Sequence, residues 1–105
     1  MMVDMDYFFM GSGELLTAFR FAGVDGAVAG NREEAQAVFR RVTGEAAARI
    51  LIVEEGTAAA LGTELVDWQL TGKYPLVVEI PGLAGHLEGR RTLVDAIREA
   101  IGLHV

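Results

Sequence analysis

A short glycine turn near the amino terminus has the residue types of a phosphate-binding loop. The apolar residues 8–10 lead into Gly11, Ser12 and Gly13, and a segment with helical periodicity follows. Glycines between a strand and a helix let the backbone approach a phosphate group, and the amino terminus of the helix attracts its negative charge. The first hypothesis is therefore a nucleotide site.

The residues around this turn do not complete a dinucleotide-binding motif. The fingerprint needs a third small residue where Leu16 stands, and its ribose-binding acid belongs near the end of the second strand, whereas Asp25 lies near the beginning. Glu14 lies in the first helical turn, where its carboxylate repels a phosphate. We therefore interpret residues 11–13 as a structural turn in which Ser12 caps the helix.

Other catalytic motifs are also incomplete. A Walker loop requires Ser or Thr after its lysine, but the only lysine, Lys73, is followed by Tyr74. A nucleophile elbow around Ser12 requires glycines where Met10 and Glu14 stand. The chain has no cysteine, which excludes disulfides and thiolate chemistry. We therefore predict no catalytic residues and no cofactor.

An acid pair and two histidines remain as candidates for chemistry. Glu54 and Glu55 end the third apolar run. As neighbours on a strand they point to opposite faces, so they would converge on a substrate or a metal only beyond the strand's end. We expect a solvated pair of loop acids instead. His86 and His104 lack a histidine partner one helical turn away, so we expect surface residues and no metal site.

Alternating strands and helices must position these residues. Strands are predicted over residues 6–10, 24–28, 49–55 and 74–82. Residues 50–53 show no polar alternation, as is typical of a central parallel strand covered on both faces. The alternation predicts an α/β fold, a small three-layer α/β/α domain with a four-stranded parallel sheet. Its topology is flavodoxin-like, or receiver-like, without the fifth strand.

Capping residues and apolar residues at helical spacing mark the helices. Ser12, Asn31 and Thr57 are predicted to cap the first three, and Glu34 is placed to complete a capping box with Asn31. A fourth helix is predicted over residues 89–101. The helices are predicted to end at Gly23, Gly44, Gly72 and Gly102.

Composition limits the classes of partner. The net charge of −6 argues against nucleic acid, which is bound through clustered lysine and arginine. No apolar run approaches the roughly 18 residues that a membrane-spanning helix needs, and the first residues lack the pattern of a signal peptide. We therefore expect a cytoplasmic protein that does not insert into the membrane.

Three stretches taken together resemble the F subunit of the V-type (archaeal or bacterial A/V-type) rotary ATPases. They are MGSGELLTAFRFAGVDG, ARILIVEEGTAAAL and YPLVVEIPGLAGHLEGRRTLVDAIREAIGLHV, in the family's order and across nearly the whole chain. The family often carries Gly-Asp after the first strand, where this chain has Gly11 and Ser12. Either Asp or Ser caps a helix, so the departure does not affect the predicted fold.

The resemblance implies a non-catalytic subunit of the central rotor stalk, bound to the coiled-coil D subunit of the shaft and near the A and B subunits of the catalytic head. It implies one domain, residues 1–105, with a core of about 5–82 and a C-terminal helix of about 88–101 that influences ATPase activity. The complex would hold the protein at the membrane periphery and couple ATP hydrolysis or synthesis to ion transport. Carried onto this sequence, the candidate partner contacts are Arg90, Arg91, Asp95 and Arg98.

Two other hypotheses belong to different classes. One is a flavodoxin-like or receiver-like domain that binds a small ligand or acts in signalling, although strand one ends in Met10 and Gly11 rather than in a receiver's acids. The other is a free-standing regulatory domain that forms homodimers through an apolar helix face.

Overall fold

Strands and helices alternate along the computed structural model, which describes residues 5–83 and 85. The strands are β1 (Met5–Gly11), β2 (Asp25–Val28), β3 (Ala48–Glu54) and β4 (Leu76–Ile80). The helices are α1 (Gly13–Phe21), α2 (Arg32–Glu45), α3 (Glu55–Leu61) and α4 (Thr63–Thr71). The four strands form one parallel sheet in the order β2-β1-β3-β4. The predicted α/β fold with a four-stranded parallel sheet is confirmed; the predicted fourth helix, residues 89–101, lies outside the described residues.

Helices cover the sheet unequally on its two faces. On one face, residues of β1 and β3 join the buried side chains of α2, α3 and α4 in the main core, whose largest members include Phe8, Met10, Phe39, Leu51 and Leu65. On the other face, Phe9 of β1 stacks on Phe19 of α1, with ring centroids 4.6 Å apart. The sheet is therefore the middle layer between α1 and the other three helices.

Side-chain caps begin two of the helices. Ser12 Oγ accepts a hydrogen bond from the Leu15 N–H at 3.4 Å, and Asn31 Oδ1 accepts from the Glu34 N–H at 2.8 Å. The Glu34 carboxylate accepts from the Gly30 N–H rather than from that of Asn31. The capping box predicted at α2 therefore forms only in part: Asn31 caps Glu34 as predicted, but Glu34 binds the N–H of the residue before Asn31.

Two predicted helix boundaries are wrong. Helix α2 continues past Gly44 to Glu45, and Ala46 takes the left-handed conformation that ends it, with φ of 48°. The single helix predicted after Thr57 is two helices, separated at Gly62, where φ is 60° and ψ is −131°. Glycine adopts this backbone geometry without the steric cost that other residues meet there.

The cap predicted at Thr57 is also wrong. Helix α3 begins at Glu55, directly after β3, and has no side-chain cap, so Thr57 is buried inside its first turn. Helix α4 ends as predicted, with Gly72 in the left-handed conformation. Strand β4 is shorter than predicted and begins after Pro75.

Side chains of α4 tie this helix to the edge strand β4. Trp68 Nε1 donates to the Pro75 carbonyl at 2.8 Å, and Gln69 Nε2 donates to the Val77 carbonyl at 3.4 Å. The ring of Trp68 also meets Phe39 of α2 edge to face, with centroids 6.4 Å apart. These contacts link one edge of the sheet to the main core.

Two leucines of α4 provide a test of this core. Leu65 is fully buried, whereas Leu70 is 69% exposed. We predict that Leu65→Ala lowers the free energy of unfolding by about 2–5 kcal/mol, because it removes buried methyl groups and leaves a cavity. Leu70→Ala, the matched control, changes it by less than about 0.5 kcal/mol. Urea denaturation measures both, and equal losses would contradict the assigned core.

Candidate functional site

The carboxyl ends of the parallel strands meet at one edge of the sheet, where open α/β sheets usually bind their ligands. Three chain segments converge there: the turn after β1, the end of β3 and the turn after β4. A cleft of about 310 Å³ opens between them. Its lining includes Ser12, Glu14, Glu54, Glu55, Gly82 and Leu83.

The Glu54 carboxylate links these segments. Its Oε1 atom accepts a hydrogen bond from the Ser12 N–H at 2.8 Å, across 42 residues of sequence. A Cβ atom added at Gly11 would lie 2.7 Å from the Glu54 Cβ, and one added at Gly82 would lie 2.6 Å from Glu54 Oε2. Both glycines therefore provide the space that this side chain occupies.

Two backbone N–H groups at the turn of residues 11–13 are engaged within the protein. The Ser12 N–H is bound to Glu54, and the Leu15 N–H is bound to Ser12 Oγ. Glu14 adds a second carboxylate to the lining of the cleft. A phosphate group that used the Ser12 N–H would have to displace Glu54 and would meet negative charge from both acids.

The expectation that Glu54 and Glu55 form a solvated acid pair is wrong. Glu54 is half-buried in the contacts just described, and Glu55 is only 3% exposed and opens α3. The register of the sheet explains the position of Glu54. Met10 pairs with Val53 in the sheet, so the next residues, Gly11 and Glu54, lie side by side. A glycine beside an acid on neighbouring strands leaves room for the longer side chain.

Asp25 lies at the opposite edge from the cleft, because it begins β2 rather than ending it. Its carboxylate accepts hydrogen bonds from the Gly26 N–H at 2.8 Å and from Arg20 Nε at 3.1 Å. Both contacts lower the pKa of Asp25 from its ordinary value of 3.8. The hydrogen bond from the Gly26 N–H has the larger effect, and the one from Arg20 has the smaller effect. Asp25 is thus engaged locally and is far from any ligand bound at the carboxyl edge.

The remaining candidates are possible metal ligands and the proposed partner contacts, and most of them lie outside the described residues. Within residues 5–83 and 85, no group of three or more acids and histidines is arranged to hold a metal ion. The candidate partner contacts Arg90, Arg91, Asp95 and Arg98 lie outside the described residues, as do His86 and His104. The structure therefore places the glycine turn and the acid pair together and leaves the arginines to be tested by experiment.

A comparison with models of known protein families shows which family the chain belongs to. The family model described as ATP synthase (F/14-kDa) subunit matches residues 8–101, which include every described helix and most of the sheet. The chain belongs to the ATP synthase (F/14-kDa) subunit family. A search among curated proteins found no match. The resemblance of the three sequence stretches is confirmed at the level of an ATP synthase F subunit, and it is consistent with the F subunit of the V-type enzymes.

Membership in this family makes the protein part of a rotary ATPase complex. Among the described residues, no helix has the length and apolar character to cross a membrane. At the carboxyl edge of this F-family protein, the Glu54 carboxylate binds the Ser12 N–H and lies against Gly82.

We predict an energetic coupling between Gly82 and Glu54. Gly82→Ala places a methyl group against Glu54 Oε2, and the carboxylate can turn away only by weakening its hydrogen bond to the Ser12 N–H, so the substitution costs about 0.5–1.5 kcal/mol of unfolding free energy. In a Glu54→Ala background the same substitution costs less than half as much, because the obstructing carboxylate is gone. Thermal or urea unfolding of the four proteins measures the cycle.

A matched control uses the second acid of the cleft. In a Glu14→Ala background the Gly82→Ala substitution keeps its full cost, because the three atoms found nearest to a Cβ at Gly82 belong to Glu54. Equal costs of Gly82→Ala in all three backgrounds would contradict the role assigned to the Glu54 carboxylate.

Proposed function

We propose that this protein is a non-catalytic component of the central stalk of a V-type ATPase or ATP synthase. There it would rotate with the shaft and couple ATP hydrolysis or synthesis to ion transport across the membrane. The observation that carries the proposal is the family match over residues 8–101. The resemblance of the three sequence stretches to the F subunit of the V-type complexes supports the choice of that type.

The carboxyl edge of the sheet supports a structural rather than a ligand-binding role. In this chain the Ser12 N–H, which a phosphate would use, is held by Glu54 at 2.8 Å. The hydrogen bond connects the ends of β1 and β3, the two central strands of the sheet. A stalk protein has to move as one body with its shaft, and such cross-strand contacts stiffen the sheet.

The proposed partners are the coiled-coil D subunit of the shaft and, near the C-terminal helix, the A and B subunits of the head. We propose that the helix over about 88–101 modulates ATPase activity. Arg91, Asp95 and Arg98 follow one another at spacings of four and three residues, so on a helix they share one side. This side would face the head, and the protein would be peripheral to the membrane through the complex.

Assembly with the shaft tests the proposal. The full chain mixed with its cognate shaft protein, the D subunit, at micromolar concentration is expected to elute as a stable heterodimer in size-exclusion chromatography. Separate elution of two folded proteins would overturn the stalk assignment. Circular dichroism of each protein before mixing provides the control for folding.

The regulatory helix makes a separate prediction in the reconstituted complex. We expect Arg91→Glu combined with Arg98→Glu to retain binding to the shaft and to change the rate of ATP hydrolysis several-fold, because the charges facing the head are reversed. The matched control reverses two exposed arginines of α2, Arg32→Glu with Arg41→Glu, and leaves that rate unchanged. Equal effects of the two double variants would contradict a regulatory role for this side of the helix.

A small-ligand or signalling domain is the second candidate, favoured by the flavodoxin-like strand order and the open cleft at the carboxyl edge. The carboxylates of Glu14 and Glu54 in that cleft argue against a phosphorylated ligand. Flavin absorbance in the purified protein, or phosphorylation by acetyl phosphate, would favour this candidate, and we expect neither.

A further inference from the structure

Strand β4 forms one edge of the sheet. Among the described residues, it pairs with β3 alone. The backbone groups of successive residues in a strand point alternately to its two sides, so every second carbonyl of β4 faces away from β3. We call this side the outer edge. Backbone groups on such an edge can pair with a strand of another chain, and native proteins protect them against that pairing.

Two side chains of α4 bind carbonyls beside β4. Trp68 Nε1 donates to the Pro75 carbonyl at 2.8 Å, and Gln69 Nε2 donates to the Val77 carbonyl at 3.4 Å. The two acceptors are two residues apart, so they point to the same side of the strand. Proline has no N–H to give to a neighbouring strand and therefore faces away from it, which makes this side the outer edge. Helix α4 thus provides hydrogen-bond donors where a fifth strand would pair.

The main core fixes the first of these contacts. The ring of Trp68 meets Phe39 of α2 edge to face, with centroids 6.4 Å apart. Pro75 is fully buried, although it lies at the start of an edge strand. The indole therefore covers the beginning of the outer edge as a rigid part of the core.

The second contact adds little to the stability of the fold. The bond from Gln69 to the Val77 carbonyl is long, and no donor within the described part of the chain reaches the buried Gln69 Oε1 atom. A buried acceptor without a partner costs about as much free energy as an ordinary hydrogen bond contributes. An apolar side chain of similar length would therefore serve the core equally well. What the glutamine adds is a donor that keeps the Val77 carbonyl from an incoming strand.

A second copy of β4 is the strand that fits this edge. In an antiparallel pair centred on Val78, that residue lies opposite its own copy, and Leu76 lies opposite Ile80 in both directions. Leu76 is 45% exposed and Val78 is 46% exposed, so the pairing would bring exposed apolar side chains together across the strands. The Val77 carbonyl would accept a hydrogen bond in the ladder between the copies.

We propose that Trp68 and Gln69 block the outer edge of β4 against pairing with β4 of a second copy of this chain. They occupy the carbonyls of Pro75 and Val77, which an incoming strand needs. Removal of the Gln69 donor opens the edge and leaves the fold intact. The inference concerns the isolated chain and stands or falls independently of the proposed stalk function.

Disulfide cross-linking of the full chain tests this block, because the native sequence has no cysteine. Val78→Cys places a thiol at the centre of the antiparallel pair, where opposite Cα atoms lie about 4.5 Å apart, within the reach of a disulfide. Gln69→Met keeps the length of the side chain and removes the donor. In this background we expect the disulfide dimer to form about tenfold faster than in the native background at equal protein concentration.

Two controls accompany the cross-linking. Phe21→Cys, at a side chain that is 90% exposed and away from β4, forms dimers at the same rate in both backgrounds. Leu70→Met, at the exposed neighbour of Gln69, leaves the rate of Val78→Cys unchanged. Equal rates of Val78→Cys with and without Gln69→Met would overturn the proposal. An equal acceleration of Phe21→Cys would also overturn it, because the association would not be specific to β4.

Thermal unfolding separates this block from a purely structural contact. We expect Gln69→Met to keep the melting temperature within about 4 °C of the native value, because the long bond and the unpartnered acceptor are removed together. A larger decrease would make the glutamine a structural residue and would overturn the proposal. Circular dichroism before oxidation confirms that each variant is folded.

Discussion

The hydrogen bond between the Glu54 carboxylate and the Ser12 N–H organises the carboxyl edge of this protein. It joins the ends of the two central strands, β1 and β3, at 2.8 Å. Gly11 and Gly82 leave room for this carboxylate, since a Cβ at Gly11 would lie 2.7 Å from the Glu54 Cβ and one at Gly82 would lie 2.6 Å from Glu54 Oε2. The turn after β1, the end of β3 and the exit of β4 therefore depend on one side chain. The same side chain accepts the Ser12 N–H, a donor that a phosphate at this turn would use.

The family assignment agrees with this interpretation of the edge. A chain in the ATP synthase (F/14-kDa) subunit family belongs to a rotary ATPase complex, and an accessory role in that complex is consistent with an edge that holds no free phosphate loop. A glycine turn between a strand and a helix remains useful in such a protein, because it allows close packing at the edge of the sheet. In this chain a glutamate, rather than a bound anion, uses that space. Only the residues around the turn distinguish the two uses.

The sequence predicted the alternation of strands and helices because apolar runs and capping residues are local features. It missed the break at Gly62, since Leu61 and Leu65 keep helical spacing across it. It also missed the end of α2, where Ala46 rather than the nearby Gly44 takes the left-handed conformation. The environment of Glu54 was missed for a different reason. It depends on Gly11 and Gly82, which lie far away in sequence and meet only in the folded sheet.

The assignment of this chain to the central stalk is tested most directly in the complex itself. The measurement is affinity purification of the tagged full chain from membranes of its source, followed by quantitative mass spectrometry of the intact rotary ATPase. A stalk component is predicted to remain with the complex in a fixed ratio to the shaft protein, before and after ATP turnover. Recovery of an intact, active ATPase that lacks this chain, with the tagged protein eluting alone, would contradict the assignment.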